Sequence, residues 1–460
     1  MKMKLAEIAK AIDAQYSDAA WDELEVTSVA FDSRNLTPGA LFVPLQGARD
    51  GHEFVAQAFE NGAIATLWAS DHKIPSDDQY PRLVVKDPLA AFQRLSQYYL
   101  NKINPIVVAV TGSNGKTTTK DMVAAILATQ FNVTKTFANF NNEIGVPVTL
   151  LNMEPSTEVV VVEMGMDRFD QLDLLSRLAT PNYAVITMIG EAHIEFFGTR
   201  DRIADAKMEI INGMNEDGTL VINGDEPLLT ERAADIDQRV VTFGRQLADD
   251  FYATSVQLAD DQVAFTVNEW PDQTFTIPMV GEYNVNNALA AIAVGTQLQI
   301  TPDNIQTALQ NLQMTENRAE WIQGAKGERI LSDVYNSNPT AVAEVLKTID
   351  QVQTDGKKVV VLGDMLELGA ASAQLHAQLA ADIDPAQIDE AYLVGSEMQA
   401  LERQLTTDGF PSQHLHHYSA DDLSQLTTDL STTLTTDDVV LLKGSHGIHL
   451  ETVLKGLTTE

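Results

Sequence analysis

Residues 108–120 read VAVTGSNGKTTTK and set a lysine directly ahead of three threonines, behind two glycines. Those residue types suit a bound phosphate. The usual loop is G-x-x-x-x-G-K-[ST], which would put its first glycine at position 110. This chain has Val110 there and Gly112 two residues later, a tighter G-x-x-G-K-T. Gly112 and Gly115 let the backbone approach an anion, the first N–H groups of a following helix point at it, and Lys116 adds a point charge. Thr117 is placed to offer its hydroxyl to Mg²⁺. The candidate nucleotide-phosphate residues are therefore Thr111, Gly112, Ser113, Asn114, Gly115, Lys116, Thr117 and Thr118. The plain alternative is a Gly-Asn turn followed by a surface lysine.

A metal held by that hydroxyl needs a carboxylate from the end of a neighbouring strand. EVVVVEMG supplies Glu163 at the tip of a four-valine run. Just past another apolar run, TMIGEAHIEFFGTR carries His193, although a lone histidine is more often structural than a ligand. Lys207 lies in DRIADAKMEIING, where spacing alone reads it as a solvated helical lysine. Side-chain amides crowd ANFNNEIGVPVTL, including Asn142, and GEYNVNNALAA, where Asn284 or Asn287 could be a helix cap. Arg318 in ENRAEW and Lys443 in LLKGSHG are single cations beside turns. No N-K-x-D segment follows the loop, which argues against a GTPase.

The elements that must position these groups follow from periodicity. Leu5, Ile8, Ala9 and Ile12 fall on one helical face. IVVAV reads as a strand ending at Val110, TGSNG as a turn and KTTTKDMVAAILATQ as a helix, the context a phosphate loop needs. Short β-branched runs (EVVVVEMG, YAVITMIG, GTLVING, RVVTFG) alternate with helices and predict a buried parallel sheet. Between about 250 and 280 the pattern becomes alternating strands, and after about 314 a second strand–helix series begins. The expected class is α/β in three domains. Residues 1–84 form a small N-terminal α/β substrate domain, and 85–314 a central P-loop parallel-sheet ATPase domain with added antiparallel strands. Residues 315–460 form a C-terminal Rossmann-like domain.

Composition sets limits. With 460 residues, 44% of them hydrophobic, the chain is long enough for several packed domains. A formal net charge of −35 argues against nucleic acid and against anionic membranes, while leaving small anionic ligands open. The 0 cysteines exclude disulfides and thiolate chemistry. The start, MKMKLAEIAKAIDAQY, lacks the apolar core of a signal peptide, so a soluble cytoplasmic protein is expected.

Taken in order, TGSNGKTTTK, NFNNEIGVP, EMG, GEAHIEFFG, NVNNALAA, NRAEW and VYNSNP resemble the motifs of the Mur ligases of bacterial cell-wall synthesis. FDSRNLTPGALFVPLQGARDGHEF, NSNPTAV and LGDMLELG are most similar to the branch that adds a D-alanyl-D-alanine unit, and the D-N-P-R motif of the preceding ligase is not found. The resemblance implies ATP and two Mg²⁺ ions. Lys116 would contact the β,γ-phosphates, Thr117 and Glu163 one Mg²⁺, and His193 with Glu163 a second. Lys207 would be carbamylated by CO₂ into an anionic metal ligand. Asn142 and Asn287 would line the adenine side, Arg318 would meet the phosphates, and Asp333 and Asn336 the ribose and base. Ser33, Arg34, Asp50, Gly51 and His52 would grip a UDP-sugar, with Asn338, Lys443 and Ser445 on the substrate side. His446 and Tyr283 stand where many relatives carry arginine and histidine.

The implied reaction is activation of a UDP-N-acetylmuramoyl-tripeptide carboxylate as an acyl phosphate, followed by attack of the D-alanyl-D-alanine amine, in a monomer whose domains close on binding. Two rival readings remain. One is a folylpolyglutamate synthetase-like ligase, which should lack the DSR…DGHEF region. The other is a nucleotide-binding regulator, which would not need Glu163, His193 and Lys207 together.

Overall fold

The computed structural model describes residues 1–16, 18–74, 80–313, 315 and 319–459. Arg318 lies outside the described residues. The helix expected from the N-terminal periodicity is Leu5–Ile12, with Leu5, Ile8, Ala9 and Ile12 all buried. Beside it a four-stranded parallel sheet orders Ser28–Ala30, Ala40–Phe42, Ala63–Ala69 and Arg82–Val85. A domain boundary after residue 84 thus falls one residue inside the last strand. Helix Pro88–Ile103 then carries the chain into the central sheet, and its Lys102 Nζ–H donates to Glu7 Oε1 at 2.7 Å. Apolar side chains of both regions merge in one core, from Leu5 and Leu83 to Val107 and Val160.

The central sheet has nine strands. Seven run parallel, from Val133–Lys135 at one edge to Phe251–Leu258, and Val263–Val267 and Trp270–Ile277 add antiparallel. The change of hydropathy pattern near 250 marks that switch: strands buried on both faces read as continuous apolar runs, strands with one wet face alternate. Val159–Glu163 is buried throughout, and its neighbour Ile106–Thr111 leads into the loop. A third sheet of six strands has Glu320–Gln323 antiparallel at its edge. The remaining strands are parallel, in the order Arg329–Asp333, Val439–Lys443, Lys358–Gly363, Glu390–Val394 and Leu415–Tyr418. Among the described residues, no helix is long and apolar enough to cross a membrane.

Behind the phosphate loop, helix Lys116–Leu127 buries an ionic network. Asp121 Oδ1 accepts from Lys135 Nζ at 2.6 Å and lies 3.4 Å from Lys120 Nζ, while both Lys120 and Asp121 are shielded from solvent. Asp121 Oδ2 accepts from the N–H and the hydroxyl of Thr315, which ties this helix to the segment leading into the third sheet. Burial lowers the Lys120 ammonium below its usual range, with Asp121 opposing that shift. Removing one partner of a buried pair leaves an uncompensated charge. Asp121→Ala is therefore expected to cost about 3 kcal/mol of unfolding free energy, read from urea denaturation. A loss within error would show the network to be energetically idle.

Candidate active site

The loop opens where strand Ile106–Thr111 meets helix Lys116–Leu127. The strand runs one residue beyond the expected end at Val110, so Thr111 is a fully buried strand residue outside the cleft lining. Gly112 (φ +149°) and Gly115 (φ +80°) are each required twice over. Their backbone angles disfavour side chains, and an added Cβ would run into Thr187 Oγ1 at 112 and Asn287 Oδ1 at 115. Lys116 Nζ–H donates to the Gly112 carbonyl at 2.9 Å, folding the ammonium over the loop it serves.

That loop forms one wall of a cleft of about 1160 Å³. Ser113 through Thr118, Asn142, Glu163, His193, Lys207 and Asn287 line it from the central domain; Asp333, Asn336, Lys443 and Ser445 line it from the C-terminal domain. Two expectations change here. Lys207, read as a solvated helical lysine, is 2% exposed on helix Arg200–Met208. Burial, with the nearby Lys116 charge, pushes its ammonium well below the usual lysine range. Asn284 and Asn287 are not caps. They form a buried amide chain on helix Tyr283–Gln297, in which Asn287 Nδ2–H donates to Asn284 Oδ1 at 2.9 Å and Asn284 Nδ2–H to the Val280 carbonyl at 2.7 Å.

Glu163 is held by two hydrogen bonds. Thr136 Oγ1 accepts its backbone N–H, and its Oε1 accepts from Asn141 Nδ2 at 2.8 Å. The buried Oε2 has no hydrogen bond among the described residues, and Lys120 Nζ stands 4.0 Å away. A buried carboxylate oxygen without a donor among the described residues, in a cleft shared with the Thr117 hydroxyl, fits a hard divalent cation. Sequence alone did not single out Asn141, which lies 22 residues before Glu163; its place in the amide-rich loop was the available signal.

The C-terminal wall touches the loop directly. Asn114 and Asn338 exchange amide hydrogen bonds at 3.1 and 2.6 Å, and Asn338 also caps helix Pro339–Gln351. Thr340 Oγ1–H donates to Glu191 Oε2 at 2.7 Å, and Glu367 Oε2 lies 2.5 Å from His193 Nδ1. Within this wall the buried Lys443 Nζ donates to Asp333 Oδ2 and to the Asn336 carbonyl, both at 2.7 Å. Ser445 Oγ accepts the Leu366 N–H, and the His446 ring stacks on Tyr335.

The N-terminal candidates lie apart from that lining. Ser33 Oγ–H donates to Gln57 Oε1, and Arg34 makes a paired contact with Asp32, whose carboxyl it holds down to about 2. Phe31 beside them meets Phe140, ring centroids 6.3 Å apart, linking this loop to the amide-rich loop of the cleft. At Gly51 a Cβ would meet the backbone of Pro44 and Leu45. Asp50 accepts from His52 Nδ1 and His72 Nε2, and His52 Nε2 accepts the Ala69 N–H. A cation on His52 Nδ1 would force a proton onto Nε2, against that N–H. The trio reads as a hydrogen-bonded brace.

Three family models match in sequence: the Mur ligase family catalytic domain over residues 25–108, the Mur ligase middle domain over 110–295, and the Mur ligase glutamate ligase domain over 317–446. The chain belongs to the Mur ligase family. It is 39% identical to the UDP-N-acetylmuramoyl-tripeptide–D-alanyl-D-alanine ligase of Bacillus subtilis, over 99% of this chain and 98% of that one. Among solved structures it is similar to MurF from Acinetobacter baumannii, with TM-score 0.86 and 29% identity over 99% of both chains. It is also similar to MurF ligase from Thermotoga maritima in complex with ADP, with TM-score 0.80 and 30% identity over 94% of this chain and 96% of that one.

Proposed function

We propose that this Mur ligase joins D-alanyl-D-alanine to the terminal carboxylate of UDP-N-acetylmuramoyl-tripeptide, driven by ATP, in the assembly of peptidoglycan precursors. The observation that carries the reading is the cleft itself. It sets a phosphate loop, an undonated buried carboxylate oxygen and a buried lysine on one wall, and a docked C-terminal domain on the other. Its likeness over nearly the full length to a D-alanyl-D-alanine-adding ligase, including the N-terminal region, disfavours the folylpolyglutamate synthetase-like reading. A simple nucleotide switch gives no reason for the buried lysine.

In this reading the loop N–H groups and Lys116 hold the β,γ-phosphates, with Arg318 as a second cation. The tripeptide carboxylate forms a bond to the γ-phosphorus as the bond to the β,γ-bridging oxygen breaks, releasing ADP. The dipeptide amine then attacks the acyl carbon, phosphate leaves, and the amine proton passes to solvent. Thr117, Glu163, His193 and the Lys207 carbamate would hold Mg²⁺, which neutralises charge between two anionic reactants. Lys207 suits carbamate formation because only an unprotonated amine adds CO₂. Asn142, Asn287, Asp333 and Asn336 would seat the nucleoside. Ser33, Arg34, Asp50, Gly51 and His52 would grip the UDP-sugar, and Lys443 and Ser445 would help place the incoming dipeptide, with Asn338 also on the substrate side. The reading carries with it a cytoplasmic, monomeric enzyme.

Phosphate release by purified protein with ATP, Mg²⁺ and the UDP-muramoyl-tripeptide is expected to depend on D-alanyl-D-alanine and to match the amide formed. Release indifferent to the dipeptide, with no amide product, would overturn the assignment.

A further inference from the structure

The motif LGDMLELG has no part in the scheme above, yet its Leu366 and Glu367 line the cleft. Residues 364–369 are pinned on their own domain by three backbone donors. Asp364 N–H reaches the Val394 carbonyl, Met365 N–H the Nε2 of the fully buried His376, and Leu366 N–H Ser445 Oγ. Pinned in this way, the loop presents Glu367 to the central domain. Its carbonyl accepts the Glu195 N–H at 3.0 Å, and its Oε2 lies 2.5 Å from His193 Nδ1. The neighbouring Ile194 packs against the C-terminal apolar core that contains Met365 and Leu368.

Both members of the pair have left-handed backbones, φ +64° at His193 and +60° at Glu367. Neither is a glycine or an asparagine, so each conformation is held at a cost by its surroundings, a pattern found at functional sites. Nδ1 is buried and lies 2.5 Å from the Glu367 carboxylate in an ion-pair contact that falls outside hydrogen-bond geometry, while Nε2 makes no hydrogen bond among the described residues and is the nitrogen left to bind. A carboxylate on one imidazole nitrogen orients the ring for a cation on the other.

We propose that Glu367 is the positioning residue of His193, so that the His193 cation site is complete only when the C-terminal domain is docked. The proposal rests on the ligase reading in taking His193 as a cation ligand. It adds that a cleft-lining residue of another domain sets that ligand's orientation. Domain docking and cation capture then become one event, and the enzyme builds its second cation site only in the closed form.

Mn²⁺ binding to the full chain, in the presence of a non-hydrolysable ATP analogue, tests this without turnover. Free Mn²⁺ is followed by electron paramagnetic resonance. His193→Ala is expected to lose one Mn²⁺. Glu367→Gln should weaken that same ion by about 10- to 100-fold while keeping the other, and Glu367→Asp should recover part of the loss. Glu367→Gly relieves the left-handed strain, so its melting temperature should equal or exceed that of the unaltered protein while the weakened Mn²⁺ site persists. A merely structural Glu367 would not separate these two readouts. Unaltered Mn²⁺ affinity in Glu367→Gln overturns the proposal. Unaltered Mn²⁺ stoichiometry in His193→Ala overturns it too, and removes His193 from the cation ligands. Dipeptide-dependent phosphate release then decides the ligase reading separately.

Discussion

Lys116→Ala is expected to lower ATP turnover by on the order of 10²- to 10³-fold, the scale on which one preorganised electrostatic group acts in a phosphoryl transfer site. The reason is local geometry. Helix Lys116–Leu127 starts at a left-handed Gly115, and its first turn points its backbone N–H groups toward the loop, where an anion is favoured. Lys116 is the side-chain cation of that loop, lying over the Gly112 and Ser113 carbonyls. The helix should survive the change, because its buried face, including Met122, Val123, Ile126 and Leu127, is untouched. Single-turnover formation of ADP, followed beside the melting temperature, separates a catalytic from a folding defect. Near-normal turnover in a folded variant would sink the phosphate-loop assignment.

Lys207→Ala carries the second large expected effect. If the buried amine becomes a carbamate that holds Mg²⁺, its loss should reduce amide formation by at least about 10²-fold, the scale of removing one electrostatic stabiliser. A short carboxylic acid should restore part of the rate by occupying the space left, and full activity without rescue would count against the carbamate. A stability measurement gives an independent sign. Lys207 has a depressed folded-state pKa, so the folded protein binds fewer protons there than the unfolded chain. Below the ordinary lysine range its burial therefore costs stability, and the cost shrinks as pH rises toward that range. In CO₂- and metal-free protein, Lys207→Met should raise the melting temperature at neutral pH, and raise it less at pH 10.

The phosphate loop was legible because its determinants are local: a β-branched run, two glycines at strained positions, and a lysine and hydroxyls on the first helical turn. The switch from parallel to antiparallel strands near residue 250 was legible for a similar reason, since hydropathy alternation reports whether one face or both are buried. The same logic failed for Lys207. Helix Arg200–Met208 is strongly polar, with Lys207 among several charged residues, and nothing in its spacing marks the one that turns inward. Asn284 shows the converse. An asparagine near a helix start reads as a cap, yet its amide is used in a buried chain beneath the loop.

By itself, then, the sequence determined the chain's local grammar: which runs become strands, where the anion loop lies, that cysteine chemistry is impossible, and which family the motifs resemble. Tertiary structure alone decided which charges are buried and which domains touch. Asn114 meets Asn338 across 224 residues, and Asp121 meets Thr315 across 194. His193 meets Glu367 on separate domains. Short-range sterics and periodicity act within a few residues and leave their mark on composition. A buried amine or a cross-domain ion pair depends on what other parts of the chain remove from water, and no window of sequence contains both partners.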